Sequence, residues 1–284
     1  MKKIHLLINV FVFIALLSAT GFITSVNSYG QDLPVSQVAF TDRYQLISYD
    51  ESELAEESKG RYAEFLKTNP PLSETNADVI LVRKVGKRIA EATHDLLEEY
   101  GLLKKIKGFD FEYNVVESKS INAWCMSGGK IVVYTGILPY CREEGYMAAL
   151  LGHEIAHAVA WHGNERLSQE VLVQGLIPII EGGLGKTLDK YEYKKIFEKV
   201  FDVASDGGLL AYSRVHEYEA DLIGMYIMAY AGYKPVNAQY FWQKMMTAIG
   251  SEKFDFLSTH PATAKRIEEI KENIPAAEKY YKTR

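Results

Sequence analysis

The chain has 284 residues, of which 48% are hydrophobic and 24% are charged, and its formal net charge is −5. This composition is typical of a globular protein with enough apolar material for a core. The negative charge, together with the absence of a basic run or a basic-aromatic stripe, argues against a nucleic-acid partner.

The N-terminal segment 1–30 predicts a secretory signal peptide. A short basic segment precedes an apolar run from Ile4 to Leu17, and Ser28 and Gly30 stand two apart, as signal peptidase prefers. The run is short for a membrane span, which needs about 20 residues. An uncleaved anchor is the alternative, because Gly21-Phe22-Ile23 could extend the run. We therefore expect a periplasmic or secreted protein, associated with the membrane if this segment is not cleaved.

Two helices are predicted after an irregular lead over residues 31–50. Ser52 to Lys67 has helical character and is stopped by Asn69-Pro70-Pro71. The second runs from Asn76 to Tyr100, because Asn76 can cap it and apolar residues recur there at spacings of three and four. We expect this helix to pack on the core.

Two strands are predicted next, at Phe109–Val116 and at Lys130–Thr135, because both segments are rich in β-formers. Asn122 to Gly129, between them, is predicted to be a loop with glycine punctuation. The two cysteines, Cys125 and Cys141, could form one disulfide or remain free thiols in an exported chain.

The rest of the chain is predicted to be mainly helical. The five glycines in residues 174–186 suggest an irregular insertion there. The predicted helices are Glu143–His162, Tyr191–Ala204, Tyr212–Ala231, Val236–Ile249 and Ala262–Ile274.

The helix predicted at Glu143–His162 contains the pattern His-Glu-x-x-His. On a helix, His153 and His157 share one face, so each can give an imidazole nitrogen to one metal ion. Glu154, beside them, can act as general base on a metal-bound water. The pattern occurs by chance in roughly one chain in a hundred of this size. His162 is five residues after His157, so we expect it off the ligand face, either towards solvent or behind a ligand.

A catalytic zinc site needs a third protein ligand from another element. Glu217 and Asp221 share a helix face, so Glu217 could be that ligand and Asp221 could accept the free N–H of a ligand histidine. Arg214 could steady a carboxylate or an oxyanion. The alternative is a solvated charged face with casual ion pairs, and this is what we expect for His216 and Glu219.

These residues resemble the HtpX and CaaX-protease family of zinc metallopeptidases, and in particular its soluble, exported bacterial branch. The resemblance spans about residues 50 to 275. It rests on blocks in the family's order: His153–His157, the Ser-Arg-x-x-Glu-x-Glu-Ala-Asp-x-x-Gly block of 213–224, Asn122-Ala123 with 128–136, and 257–261 with Arg266-Ile267.

The resemblance implies one Zn²⁺ per chain, bound by His153, His157 and Glu217, with Glu154 as base. It also implies that Asp221 supports a ligand and that Arg214 belongs to the site.

For the fold, the resemblance implies an α+β, mainly helical, zincin-type (gluzincin-like) structure with a small β-sheet beside the zinc helix. Residues 31–284 are expected to form one metallopeptidase domain. The sequence departs from the membrane-embedded branch, because multiple spans are not predicted, and little sequence follows the peptidase region, where some exported relatives carry a repeat domain. A dedicated repeat domain for partner binding is therefore not expected, and the sequence does not indicate an oligomeric state.

The expected function is zinc-dependent endopeptidase activity on exported or envelope proteins, in protein quality control, with metal-bound water as the nucleophile. The expected partner is a polypeptide substrate. Two alternatives stay open: an exported zinc-binding protein without activity, and a metal-dependent hydrolase of something other than peptides.

Two further elements are expected near the cleft. The strand residues Lys130, Ile131, Val132 and Val133 could pair with an extended substrate if they form an edge strand, or could form an ordinary internal strand. His260, before Pro261, is expected on a loop. It could hold the C-terminal helices on the core, donate to the oxyanion, or act as a fourth ligand that keeps the enzyme latent.

Overall fold

The computed structural model describes residues 35–180, 213–247, 256, 260 and 263–283. These ranges are mainly helical with two small sheets, so the predicted α+β class is confirmed. The elements are β1 Val35–Gln37, β2 Tyr44–Leu46, α1 Glu51–Thr68, α2 Ala77–Glu99, a 3₁₀ helix Leu103–Ile106, β3 Glu112–Val116, β4 Ala123–Met126, β5 Lys130–Tyr134, α3 Leu138–Cys141, α4 Glu144–Val159, α5 His162–Ile180, α6 Arg214–Tyr230, α7 Val236–Met246 and α8 Ala264–Glu278.

The two N-terminal helices follow the predicted signals. The side chain of Asp50 caps α1 by accepting from the backbone N–H groups of Ser52 and Glu53. Asn76 caps α2 in the same way through the N–H of Asp78. The apolar positions of α2 are buried in the core, as the spacing predicted: Val79, Val82, Val85, Ile89, Ala92 and Leu96.

The main sheet has the strand order β3-β5-β4, with β5 parallel to β3 and antiparallel to β4. The prediction of a loop over Asn122–Gly129 is therefore wrong for Ala123–Met126, which form β4. Gly128 and Gly129 have φ angles of 85° and 79°, which a tight hairpin turn requires. The glycines close a hairpin instead of extending a loop. The strand Lys130–Tyr134 is confirmed, but it is central and buried, so the edge-strand expectation is wrong.

A second correction concerns the N-terminal lead. Residues 35–46 are not irregular, because β1 and β2 pair as an antiparallel hairpin. Phe40 stands between the two strands with a φ of 58° and packs edge-to-face against Tyr100 and Tyr226. The hairpin is thereby attached to α2 and α6.

Helices α4 and α6 pack closely against each other at Gly152 and Gly224. A Cβ atom on Gly152 would lie 3.0 Å from the carbonyl oxygen of Gly224, and a Cβ on Gly224 would lie 3.0 Å from the backbone of Gly152. The two backbones are therefore in contact. This approach brings Glu217, two turns before Gly224, beside the histidines of α4.

The predicted helix 143–162 is two helices. α4 ends at Val159, Trp161 has a φ of 60°, and α5 begins at His162. The expectation of an irregular segment from residue 174 is wrong as far as residue 180, because α5 continues to Ile180. Residues 181–186 and the helix predicted at Tyr191–Ala204 lie outside the described residues.

Cys125 and Cys141 are both free thiols. The predicted signal peptide, residues 1–30, lies outside the described residues. Among the residues described, no helix is both long and apolar enough to cross a membrane.

Candidate metal centre

Four buried side chains converge where α4 faces α6. His153 and His157 come from α4, Glu217 from the first turn of α6, and His260 from the segment before α8. One donor atom of each lies within 4.8 Å of the others, and none of the four side chains is more than 3% exposed. We call these residues the ligand cluster.

The first histidine of the cluster is oriented by Asp221, as its helix spacing predicted. His153 Nδ1 lies 3.0 Å from Asp221 Oδ1. Because a carboxylate accepts, the Nδ1 of His153 carries the proton and its Nε2 presents a lone pair to the cluster. That Nε2 is 3.1 Å from His157 Nε2 and 3.2 Å from His260 Nδ1.

His260 lies in the cluster, although its backbone belongs to no helix of the described ranges. Its Nδ1 is 2.9 Å from Glu217 Oε1, and its Nε2 is 3.8 Å from Glu154 Oε1. Burial lowers the pKa of His260, but the carboxylates of Glu217 and Glu154 more than offset burial, so the pKa is raised above its usual value. The ring also packs on Phe256, at 4.6 Å between centroids.

Glu154 lies beside the cluster without ligating it. Burial, together with the charge of Glu217, raises its pKa to about 7, while a backbone hydrogen bond from Cys125 of β4 lowers it. Its Oε1 accepts no hydrogen bond from the described residues. A carboxylate with a pKa near neutral is suited to take up a proton and give it back.

The guanidinium at the cluster belongs to Arg266. Arg266 Nη1 lies 2.5 Å from Glu217 Oε2, and Nη2 donates to Asp221 Oδ1 at 2.8 Å. The group also lies 3.7 Å above the ring of Trp242. Arg214, expected at the site, is exposed at the start of α6. In the sequence, Arg266 stands with Ile267 in a family-like block, and this block was the signal that could have identified it.

A second group of polar side chains, all buried except the partly exposed Arg43, lies directly behind His157. We call it the Arg43 network; it comprises Arg43, His162, Glu165, His216 and Glu219. Arg43 donates two hydrogen bonds to each carboxylate, at 2.7 and 2.8 Å to Glu165 and at 2.6 and 2.8 Å to Glu219. His216 Nε2 lies 3.0 Å from Glu165 Oε2, and the His162 and His216 rings stack at 4.4 Å.

This network corrects the expectation for two residues of α6. His216 and Glu219 were assigned to a solvated face, but each is only 3% exposed. His162, which is fully buried, lies behind a ligand and not towards solvent, with its Nδ1 2.9 Å from His157 Nδ1. Their partners are Arg43, which directly precedes β2, and residues of α5, all far away in sequence, so no local pattern indicates the burial.

The donor set of the ligand cluster fits a zinc ion. Tetrahedral zinc with ligand bonds of about 2.0–2.1 Å separates its donor atoms by about 3.3–3.4 Å. The observed separations are 3.1 Å between the two Nε2 atoms of His153 and His157, 3.3 Å from His157 Nε2 to Glu217 Oε1, and 3.2 Å from His153 Nε2 to His260 Nδ1. Imidazole nitrogen and carboxylate oxygen are the ligands that zinc takes in catalytic sites.

Comparison with known proteins agrees with this arrangement. The family model described as Peptidase family M48 matches residues 84–274. The chain is similar to "Mitochondrial metalloendopeptidase OMA1" of Schizosaccharomyces pombe, with 35% identity over 59% of this chain and 48% of the relative. The protein of the same name from Saccharomyces cerevisiae is 32% identical over 77% of this chain and 60% of the relative.

A bacterial relative is more distant. The "Beta-barrel assembly-enhancing protease" of Escherichia coli (strain K12) is 24% identical over 55% of this chain and 33% of the relative. The matched regions span between about a third and three fifths of the length of these relatives.

Proposed function

The chain belongs to peptidase family M48, and on this premise we propose that it is a zinc-dependent metalloendopeptidase. The observation that supports this most is the ligand cluster: four buried donors converge on one point, with the buried carboxylate of Glu154 beside them. A binding site without activity has no need of that carboxylate.

In this proposal, His153, His157 and Glu217 hold the metal, and Asp221 and Arg266 orient His153 and Glu217. When bound, zinc supplies a Lewis acid that makes water more acidic and polarises a carbonyl. His260 either occupies the fourth position on the metal and keeps the enzyme latent, or donates to the oxygen of the scissile carbonyl once a substrate is bound.

Glu154 carries the proton transfers. It takes a proton from the attacking water and delivers it to the leaving nitrogen of the peptide bond. Burial, which raises the pKa of the Glu154 carboxyl, suits this group to accept a proton and return it.

The strand that we propose for substrate binding is β4. It is an edge of the sheet, because β5 pairs with it on one side and no strand of the described residues pairs on the other. β4 packs against α4, and the backbone of its Cys125 donates to Glu154. An extended peptide added to this edge would gain backbone hydrogen bonds with little demand on its side chains.

We further propose export to the periplasm or beyond, with residues 1–30 removed, and exported or envelope proteins as substrates in quality control. The N-terminal basic and apolar pattern supports this. N-terminal sequencing of the protein from a periplasmic or secreted fraction should begin near residue 31. Intact Met1 in a membrane fraction would instead support an anchor.

Zinc content and casein cleavage, measured with and without a chelator, test the central proposal. We expect about one zinc per chain and cleavage that the chelator stops and added zinc restores. Zinc without cleavage of any polypeptide would favour the non-catalytic protein or a non-peptide hydrolase.

His260→Ala distinguishes the two roles of that residue. Turnover should rise if His260 blocks the fourth position, and fall if it donates to the carbonyl oxygen. Unchanged turnover with a lower melting temperature would leave only a structural role.

A further inference from the structure

The two histidines of α4 differ in what holds their outer nitrogens. His153 is held directly by a carboxylate, that of Asp221. The outer nitrogen of His157 instead faces another imidazole, with 2.9 Å between its Nδ1 and the Nδ1 of His162. The far nitrogen of His162, Nε2, lies 3.0 Å from Glu219 Oε2.

The hydrogen-bonded series of His157, His162 and Glu219 determines where its protons lie, starting from Glu219. The Glu219 carboxylate, paired with Arg43, only accepts hydrogen bonds, so His162 Nε2 carries a proton. His157 presents its Nε2 to the ligand cluster, 3.1 Å from His153 Nε2, and a nitrogen that binds a metal needs a free lone pair, so the proton of His157 lies on its Nδ1. That Nδ1 donates to His162 Nδ1, which accepts because the proton of His162 lies on its Nε2.

We infer that His162, Glu219 and Arg43 form a positioning relay for His157, which fixes the tautomer and ring orientation that metal binding needs. The inference rests on the proposed zinc site. Arg43 fixes the carboxylate, Glu219 fixes the proton of His162, and His162 fixes the proton of His157. The relay thereby does for His157, through an interposed imidazole, what Asp221 does directly for His153.

The break between α4 and α5 makes the relay possible. In a continuous helix, His162 would lie about 140° around the axis from His157, because each residue turns the chain by about 100°. The left-handed Trp161 redirects the chain, so that His162 faces His157. Trp161 is held there because its Nε1 donates to the carbonyl of Lys105 at 2.9 Å and the Lys105 ammonium lies 3.9 Å from its ring.

The outer member of the relay comes from the N-terminal hairpin. Arg43 directly precedes β2 and lies outside residues 84–274, the part matched by the family model. Two residues later, Gln45 Nε2 donates to the carbonyl of Ala160 at 2.7 Å, at the end of α4. The hairpin therefore contributes to the metal site as well as to the core.

Two matched pairs of variants test the relay. Glu219→Gln and Glu165→Gln each remove one of the two carboxylates held by Arg43, but Glu219 is bonded to His162, whereas Glu165 is bonded to His216. His162→Phe and His216→Phe each replace one of two stacked, buried rings, but only His162 contacts His157. In each pair the second variant controls for the loss of charge or of a polar ring.

The measurements are zinc affinity, by competition with a chromophoric chelator, and the visible spectrum of the cobalt-substituted protein. Glu219→Gln and His162→Phe should weaken zinc binding by about 10- to 100-fold and shift the cobalt bands. Their controls should keep the wild-type spectrum and lose clearly less affinity for zinc, because they leave the hydrogen-bond partner of His157 in place. Thermal unfolding of the metal-free proteins should be similar within each pair.

Equal losses of affinity within a pair would overturn the relay, because they would point to a general effect on folding. Unchanged affinity in all four variants would also overturn it, while leaving the zinc site intact. A wild-type chain that binds no zinc would overturn the proposed function, and the relay with it.

Discussion

The ligand cluster and the Arg43 network lie side by side, and both contain buried histidine and glutamate side chains, whereas Arg43 itself is partly exposed. They differ in where the positive charge lies. In the Arg43 network, one guanidinium donates two hydrogen bonds to each of two carboxylates, so each of the four carboxylate oxygens faces a donor. In the ligand cluster, four donor atoms converge on one point, and the guanidinium of Arg266 contacts Glu217 from outside.

This difference shows that residue composition alone does not identify a metal site in a buried polar region. The site is identified by the direction in which the lone pairs of its side chains point. Acceptors that face each other need a cation between them, whereas acceptors that each face a guanidinium do not. The two regions should therefore respond in opposite ways to metal and to substitution.

The largest expected effect is on catalysis. Glu154→Gln should reduce kcat for casein cleavage by about 10²–10⁴-fold, because the amide keeps the shape and loses the basicity. Zinc content and melting temperature should stay at wild-type values. Retention of even about a tenth of the turnover would show that Glu154 is not the general base.

The next effect is on stability and concerns the Arg43 network. Arg43→Met should lower the free energy of unfolding of the metal-free protein by about 3–5 kcal/mol, because two buried carboxylates lose their cation. Denaturant unfolding measures this loss. Arg214→Met, at an exposed position, is the control and should change it little. A small effect of Arg43→Met would mean that water replaces the guanidinium.

Metal removal should separate the two regions. Zinc at 100 times its dissociation constant should stabilise the wild-type chain by about 2.7 kcal/mol. Unfolding scans with and without a chelator should show this difference. Glu217→Ala should abolish the stabilisation by zinc. Arg43→Met should keep part of that stabilisation, although its metal-free form is less stable than the wild type. A zinc effect of wild-type size in Glu217→Ala would exclude Glu217 as a ligand.

The smallest effect concerns Glu51, a buried carboxylate bonded by the neutral amide of Asn164. Burial raises its pKa from 4.5 to about 7, whereas Arg43 and His216 more than offset burial at Glu165 and lower that pKa. Between pH 4.5 and about 7, Glu51 thus binds more protons in the folded state than in the unfolded state. Stability should fall by about 2 kcal/mol as pH rises from 5 to 8.

Glu51→Gln tests this contribution. The amide cannot ionise and still accepts from Asn164, so the variant should lose this part of the pH dependence and be more stable than wild type at pH 8. Unfolding curves at pH 5 and pH 8 measure the difference. An unchanged slope would show that Glu51 ionises in the folded state as readily as in the unfolded chain.

The features that were predicted from the sequence depend on residue spacings within one helix. The spacing of four residues placed His153 with His157, and Glu217 with Asp221, on shared faces, and the structure brings all four together. The α2 helix was predicted for the same reason. Their ligand and support roles in a loaded enzyme stay predictions until metal binding is measured.

The parts that were missed depend on contacts distant in sequence or on backbone conformation. Arg43 contacts Glu219 across 176 positions, which no local pattern indicates. Trp161 adopts a left-handed conformation that is rare for a bulky residue, so the break after α4 was not expected. At Gly128 and Gly129, a loop and a hairpin turn have the same sequence signal, and pairing with β5 decides between them.

The contact between Gly152 and Gly224 determines how the spacing of the metal ligands can change. Two helices separated by side chains can adjust their distance as those side chains vary, but here the backbones themselves touch. The distance between His153 and Glu217 is thus independent of how the surrounding core is composed. Related chains could diverge widely in that core and still hold an ion of the same radius, provided that both positions lack a side chain.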